Sequence, residues 1–277
     1  MANYTLADVK ALREQTGAGM MDVKNALVEA DGDYEEAVKI IRMKGIKSLS
    51  KREGRAADAG LVVAEVSEDG KVGVIVEVNS ETDFVAKNEN FIKFAGQILE
   101  AAVDSGVSDV ETLLAAPVGD ETVQDLVDQM GATVGEKVLV GSVARVEADH
   151  VELYLHQTSP DLPAQIAVLV GTDEAGKDIA YDVAMHIAVF KPQWLSRDTV
   201  PADVVEKEKD TLTAITLNEG KPEHIVPKIV EGRMGAFYKD NTLLEQGFAK
   251  DPSITVGELA KKNGAVIAEF VRIQVGA

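Results

Sequence analysis

The segment Thr82-Asp83-Phe84-Val85-Ala86 sets an aromatic ring beside a carboxylate just ahead of a helical pattern. Two readings follow from those residue types. In one, Thr82 or Asp83 caps the helix and Phe84 packs down as a hydrophobic staple. In the other, Phe84 is displayed on a rigid turn and fills a partner's pocket, as the anchor residues of interfaces do. A second candidate is the Met20-Met21 pair, which follows Thr16-Gly17-Ala18-Gly19. Adjacent methionines on a helix cannot both face one core, so at least one points outward, either filling an irregular gap or meeting a partner.

Other constellations are weaker. The histidines are His150, His156, His186 and His224, none at metal-ligand spacing from another. His156 ends a strand pattern ahead of the turn-rich 157–163 stretch and is a contact candidate, whereas His186 falls inside a helical pattern. Gly171 to Asp178 imitates a phosphate loop, with Gly, four residues, then Gly-Lys. Asp178 stands where a hydroxyl should meet magnesium, and Asp173 and Glu174 would repel phosphate, so a strand-to-helix turn is expected. There is no Gly-x-Ser-x-Gly elbow, and no acid pair stands out among 47 carboxylates. No cofactor, metal or covalent chemistry is expected.

The totals agree with a binding protein. With 277 residues the chain is long enough for two or three small domains, and its apolar content is 45%. It has no cysteine, so thiolate chemistry and disulfides are excluded and packing must carry the fold. No apolar run approaches a membrane span, and residues 1–20 do not suit a secretory signal, so a cytoplasmic protein is the default. A net charge of −19 argues against nucleic acid as a partner. Residues 1–56 are nearly balanced, and Lys44, Lys47, Lys51, Arg52 and Arg55 form a basic stretch. It reads as a solvated helix and linker, or as steering toward an acidic partner.

The elements that must position these residues form an α+β chain. Thr5 caps a first helix that Gly17 ends, Met20–Ala30 makes a second, and Asp33 caps a third over 34–44 that Gly45 terminates. Three short helices form a compact N-terminal domain, with its linker, over residues 1–56. A core N-subdomain follows over 57–137, opening with a hairpin of 61–66 and 72–78 around Asp69-Gly70. A core C-subdomain spans 138–195 and 240–277. In it 138–147 and 151–156 pair across Asp149, 165–170 adds a strand, 177–190 is a helix and 265–275 the closing strand. Residues 196–239 read as a helical hairpin that could pair with itself, with a second copy or with nothing. The two blocks look like an imperfect repeat. Val72-Gly73-Val74-Ile75-Val76 matches 166–170 at an offset of 94, and 94–98 matches 183–187 at an offset of 89. The first copy thus has five extra residues, where Thr82–Ala86 sits, which suggests that the loop does more than connect.

At this point a resemblance is evident. Leu12-Arg13-Glu14-Gln15-Thr16-Gly17-Ala18-Gly19-Met20-Met21-Asp22-Val23-Lys24 and the 76–86 stretch Val-Glu-Val-Asn-Ser-Glu-Thr-Asp-Phe-Val-Ala resemble the two signatures of the elongation factor Ts family. Tyr154-Leu155-His156, Ala184-Met185-His186-Ile187-Ala188 and Glu231-Gly232-Arg233-Met234 follow in family order. The resemblance implies a ubiquitin-associated-like three-helix domain, a core of two related α+β subdomains with antiparallel sheets, and a protruding helical hairpin. It implies guanine-nucleotide exchange on elongation factor Tu. The Asp83-Phe84 loop would enter the GTPase domain and disturb the elements that hold magnesium and the β-phosphate. By motif, Arg13, Met20, Met21, Lys24, Thr82, Asp83, Phe84, Val85 and His156 are the implied contacts. Some members continue into a further C-terminal helix, and Ala277 stops short of it, so that contact is expected to be missing. The rival reading is a protein-binding adaptor without exchange activity.

Overall fold

The computed structural model describes residues 3–46 and 49–277, with backbone alone for 49 and 50; Lys47 of the basic stretch and linker lies outside the described residues. Helices α1 (Leu6–Thr16), α2 (Met20–Glu29) and α3 (Tyr34–Ile46) form the N-terminal bundle. Thr5 and Asp8 cap α1 reciprocally, and Gly17, at φ 72°, ends it. Val9, Leu12, Val23, Leu27, Ile40 and Ile41 fill the bundle's interior.

Gly45 does not terminate α3, as its type suggested; it is buried within the helix. A Cβ there would lie 1.9 Å from the Ala132 carbonyl oxygen. Glycine serves packing here, letting α3 approach a core helix closely.

Next come β1 (Ala59–Val66), β2 (Val72–Ser80), α4 (Asp83–Ala86), α5 (Glu89–Ser105) and α6 (Val110–Leu114). The ribbon β3 (Pro117–Val118) and β4 (Glu121–Thr122) leads to α7 (Val123–Val134), β5 (Leu139–Glu147), β6 (His150–His156), β7 (Ile166–Thr172) and α8 (Lys177–Phe190). The chain ends with the hairpin α9 (Ala202–Asn218) and α10 (Val226–Asn241), then β8 (Gly247–Phe248), β9 (Asp251–Thr255), α11 (Val256–Lys262) and β10 (Ile267–Gln274).

Two three-stranded antiparallel sheets carry the core, in the orders β1-β2-β5 and β10-β7-β6. They pack face to face through Val62, Ile75, Val146, Val151, Ala167 and Leu169. The alternate residues Val74, Val76 and Val78 turn outward to α5, and Ile166, Val168 and Val170 turn to α8. Both faces of β2 and β7 are therefore covered, which is why 72–76 and 166–170 each read as a continuous apolar run. Gly73 sits at the closest approach of the sheets, where a Cβ would come within 2.6 Å of Leu169. In each block the central strand leads into the helix that covers it. The connection is residues 81–88 in the first and 173–176 in the second, and α4 occupies the longer one.

One expected pairing is different. The 138–147 and 151–156 strands do not form a hairpin across Asp149: β5 joins β2 and β6 joins β7. The link between them crosses from one sheet to the other. It is tied to the β1–β2 turn by the Ala148 N–H to the Lys71 carbonyl (3.0 Å) and the Val151 N–H to the Gly70 carbonyl (2.7 Å). Each central strand has two edges to satisfy, and a hairpin of β5 with β6 would leave an edge of β2 open.

In the hairpin, α9 and α10 pack on each other through Val205, Leu212, Val226, Val230 and Met234. Arg233 closes the pair by donating to both carboxylate oxygens of Glu219 at 2.8 Å and to the Thr216 hydroxyl at 3.2 Å. Trp194 lies against Phe237 at its base, with ring centroids 6.1 Å apart.

Candidate functional site

The Thr82–Ala86 segment grows from the end of β2. Ser80, the strand's last residue, is fully buried and its hydroxyl donates to the Thr82 carbonyl at 2.9 Å. Thr82 is still extended (φ −131°, ψ 154°), and the chain then makes the single turn of α4. Val85 and Ala86 take the inward side of that turn, Val85 joining the cluster of Leu61, Val78 and Phe91. Phe84 is left 70% exposed. The staple reading is thereby replaced, because the inward positions are already filled. Val85, expected among the contacts, instead has its side chain in the core.

The cap reading changes too. Thr82 stands at the N-cap of α4 but makes no side-chain cap bond to it. Its N–H and hydroxyl both donate to Glu136, at 3.0 and 2.7 Å. Glu136 lies between α7 and β5, and burial pushes its carboxyl above the usual range even though the two Thr82 donors pull the other way. Beside it, the Lys137 N–H donates to the Glu81 carboxylate at 2.6 Å, and Arg55 reaches the same carboxylate at 3.2 Å. The Lys137 ammonium donates to the carbonyls of Glu53 and Arg55. Arg52 donates to the Gly131 carbonyl at 2.9 Å. Part of the basic stretch is thus committed to the core rather than displayed. Phe84 itself has a polar companion: the Lys87 ammonium stands 4.7 Å over its ring and 3.7 Å from Asp83. At such exposure that contact contributes about 1 kcal/mol at most.

The N-terminal bundle docks next to the turn. Asn88 caps α5 through the N–H groups of Asn90 and Phe91, and its own amide donates to the Glu14 carbonyl at 3.4 Å. The Asn90 amide donates to the Gln15 carbonyl. A groove between bundle and core is lined by Lys10, Arg13, Glu14, Thr82, Phe84 and Glu136, among others. The fold therefore brings Arg13 to the same groove as Thr82 and Phe84. Met20 and Met21 are 44% and 62% exposed at the start of α2, and Lys24 is exposed one turn on. His156 stands apart on the edge strand β6, half-buried, with the Tyr154 hydroxyl 3.1 Å from its Nδ1.

The remaining candidates are structural. In the Gly171–Asp178 turn the Asp173 carboxylate accepts the N–H groups of Gly176 (3.0 Å) and Val266 (3.1 Å), filling the place an anion would take. His186 is fully buried; its Nδ1 accepts the Ala249 N–H at 3.2 Å, so Nε2 carries the proton toward Gln246 Oε1 at 2.9 Å. Burial pushes its pKa below the usual histidine value. Among the described residues no group of three or more His, Cys, Asp and Glu side chains could hold a metal ion, and no helix is long and apolar enough to cross a membrane.

Sequence reasoning missed Glu136 and the buried Glu77. The Glu77 carboxylate accepts from Asn79 (2.8 Å), Ser142 (2.8 Å) and the Gly276 N–H (3.0 Å). Glu77 carried a faint signal, a carboxylate directly after the apolar run 72–76 and between two valines. Glu136 carried none, because its partner is 54 residues away.

Comparison with known proteins bears on the same residues. A family profile described as Elongation factor TS matches residues 81–277. Elongation factor Ts of Kocuria rhizophila is 52% identical over 278 residues, covering all of both chains. That of Micrococcus luteus is 53% identical over 279 residues and that of Beutenbergia cavernae 50% over 281, again over the full length of both chains.

Proposed function

Because the chain belongs to the elongation factor Ts family, we propose that it releases GDP from elongation factor Tu by inserting the Asp83-Phe84 turn into the GTPase domain. Family membership supports the exchange role and the partner. The single observation that carries the insertion reading is the exposure of Phe84 on a turn whose next residue is anchored in the core. An aromatic ring held this way loses little further freedom on docking, so most of its burial energy is available to the complex.

The physical consequence follows from the partner's nucleotide site. Magnesium there offsets phosphate charge, and displacing the elements that hold it weakens GDP binding with no covalent step. Linkage makes the effect mutual: exchange factor and nucleotide weaken each other's binding by the same factor. Arg13, Met20, Met21 and Lys24 would hold the partner from the bundle side, and His156 from the second sheet. The setting would be the cytoplasm, where translation runs.

The test is stopped-flow release of fluorescently labelled GDP from elongation factor Tu. We expect acceleration by orders of magnitude with this protein, and strong loss of it in Phe84→Ala with the fold intact. Release unaffected by the wild-type protein would leave the adaptor reading in its place.

A further inference from the structure

We propose that Glu136 is a positioning residue for exchange: its carboxylate holds Thr82, and through Thr82 it fixes the pose in which Phe84 meets the partner. This rests on the 82–86 turn being the exchange element.

The geometry is a reciprocal clasp between two neighbouring pairs of residues. The Glu136 side chain accepts the N–H and hydroxyl of Thr82 (3.0 and 2.7 Å), and the Glu81 side chain accepts the N–H of Lys137 (2.6 Å). Each dipeptide therefore binds the other's backbone with its own carboxylate. The two halves do different work. Glu81 is also paired with Arg55, and Lys137 reaches the carbonyls of Glu53 and Arg55, so that half ties the chain ahead of β1 to the core. Of the two carboxylates, Glu136 is the one that grips Thr82, the residue immediately preceding Asp83 and Phe84, whose carbonyl also accepts from the Ser80 hydroxyl.

Thr82 is of a type that caps a helix with its own hydroxyl, yet here the hydroxyl is given to Glu136 and α4 goes without that cap. A four-residue helix cannot hold itself in water, since nucleation is unfavourable at that length. Its direction is set from outside, by Val85 in the core on one side and by Glu136 on the other. Removing the carboxylate frees Thr82 to cap α4 or turn to solvent, and the ring of Phe84, one residue beyond Asp83, swings with it. Displacements of about 1 Å at such a position are enough to cost large factors in rate.

The experiment is a double-mutant cycle on GDP release, with the full chain and elongation factor Tu. The variants are Glu136→Ala, Phe84→Ala, their combination, and Glu136→Gln. We expect Glu136→Ala to lower the maximal release rate at saturating exchange factor about tenfold, with a smaller change in the half-saturating concentration, because the bundle contacts persist. In the Phe84→Ala background the same change should cost less than about twofold, since its effect runs through the ring. Glutamine can accept the Thr82 N–H and donate to its hydroxyl, so Glu136→Gln should stay within about threefold of wild type. If Glu136→Ala does not fold, Thr82→Val, which removes one of the two bonds, is put through the same cycle.

A wild-type rate in Glu136→Ala, or an equal loss with and without Phe84, overturns the proposal while leaving exchange activity standing. A wild-type protein without effect on GDP release removes the exchange reading itself.

Discussion

Phe84 and Val85 are neighbours in the chain and lie on opposite sides of the molecular surface, 70% and 4% exposed respectively. Their substitutions should separate stability from activity. Val85→Ala removes buried methyl groups and should cost about 1–3 kcal/mol of stability, whereas Phe84→Ala should stay within about 0.5 kcal/mol. Both should slow GDP release. Urea unfolding checks the first statement, and equal midpoints for the two variants would contradict it.

Gly45 is the second test, because it sets the docking of the bundle. A Cβ at that position meets the carbonyl oxygen of Ala132 at 1.9 Å and its carbonyl carbon at 2.4 Å, both backbone atoms that cannot yield. Gly45→Ala should therefore lift the bundle from α7 and leave the two-sheet core intact. Limited proteolysis should cut faster between α3 and β1, with the core fragment as resistant as before. An unchanged cleavage rate would mean that the contact is not needed for docking.

Met20 and Met21 are both exposed, so neither is needed to fill the bundle interior. Replacing both with alanine should change stability by less than about 1 kcal/mol and weaken binding to elongation factor Tu by about 1 kcal/mol or more. Calorimetric titration reads the affinity directly. Affinity equal to wild type would take the pair out of the interface.

His186 makes a pH prediction with a definite sign. Burial lowers its folded pKa, and the Nδ1 acceptor role toward Ala249 requires the neutral ring. The unfolded chain takes up the proton at about pH 6.5, and the folded state does so only at lower pH. The stability contribution is thus complete above about pH 6.5 and is lost as pH falls toward the folded pKa. The urea midpoint should drop between pH 7 and 5, and His186→Gln should remove that part of the slope while lowering stability throughout. Identical slopes in the two proteins would show that His186 does not titrate this way.

Much of the site was readable before any coordinates. The Thr82–Ala86 surplus between two copies of a strand-and-helix unit marked the turn as an addition, and the 81–88 connection carries α4 where its counterpart at 173–176 is a short turn. Helix ends followed from local chemistry at Thr5, Gly17 and Asp33, because caps are satisfied by residues within one turn. Gly45 failed for the opposite reason: glycine has two uses, and only the neighbouring helix reveals which one applies. The pairing of β5 failed because an apolar strand pattern states that a strand is covered, not which edge it joins.

Residue types and periodicity alone determined the α+β class and the three-helix start, and singled out the 82–86 turn as a candidate, since all of these depend on local spacing or on motif. The tertiary structure decided that Phe84 points outward, that Val85 anchors it, that Arg13 shares its groove and that Glu136 holds Thr82. Two of those relations, Thr82 with Glu136 and Arg13 with Phe84, join residues 54 or more positions apart. They depend on which inward positions are already filled, and no local pattern records that.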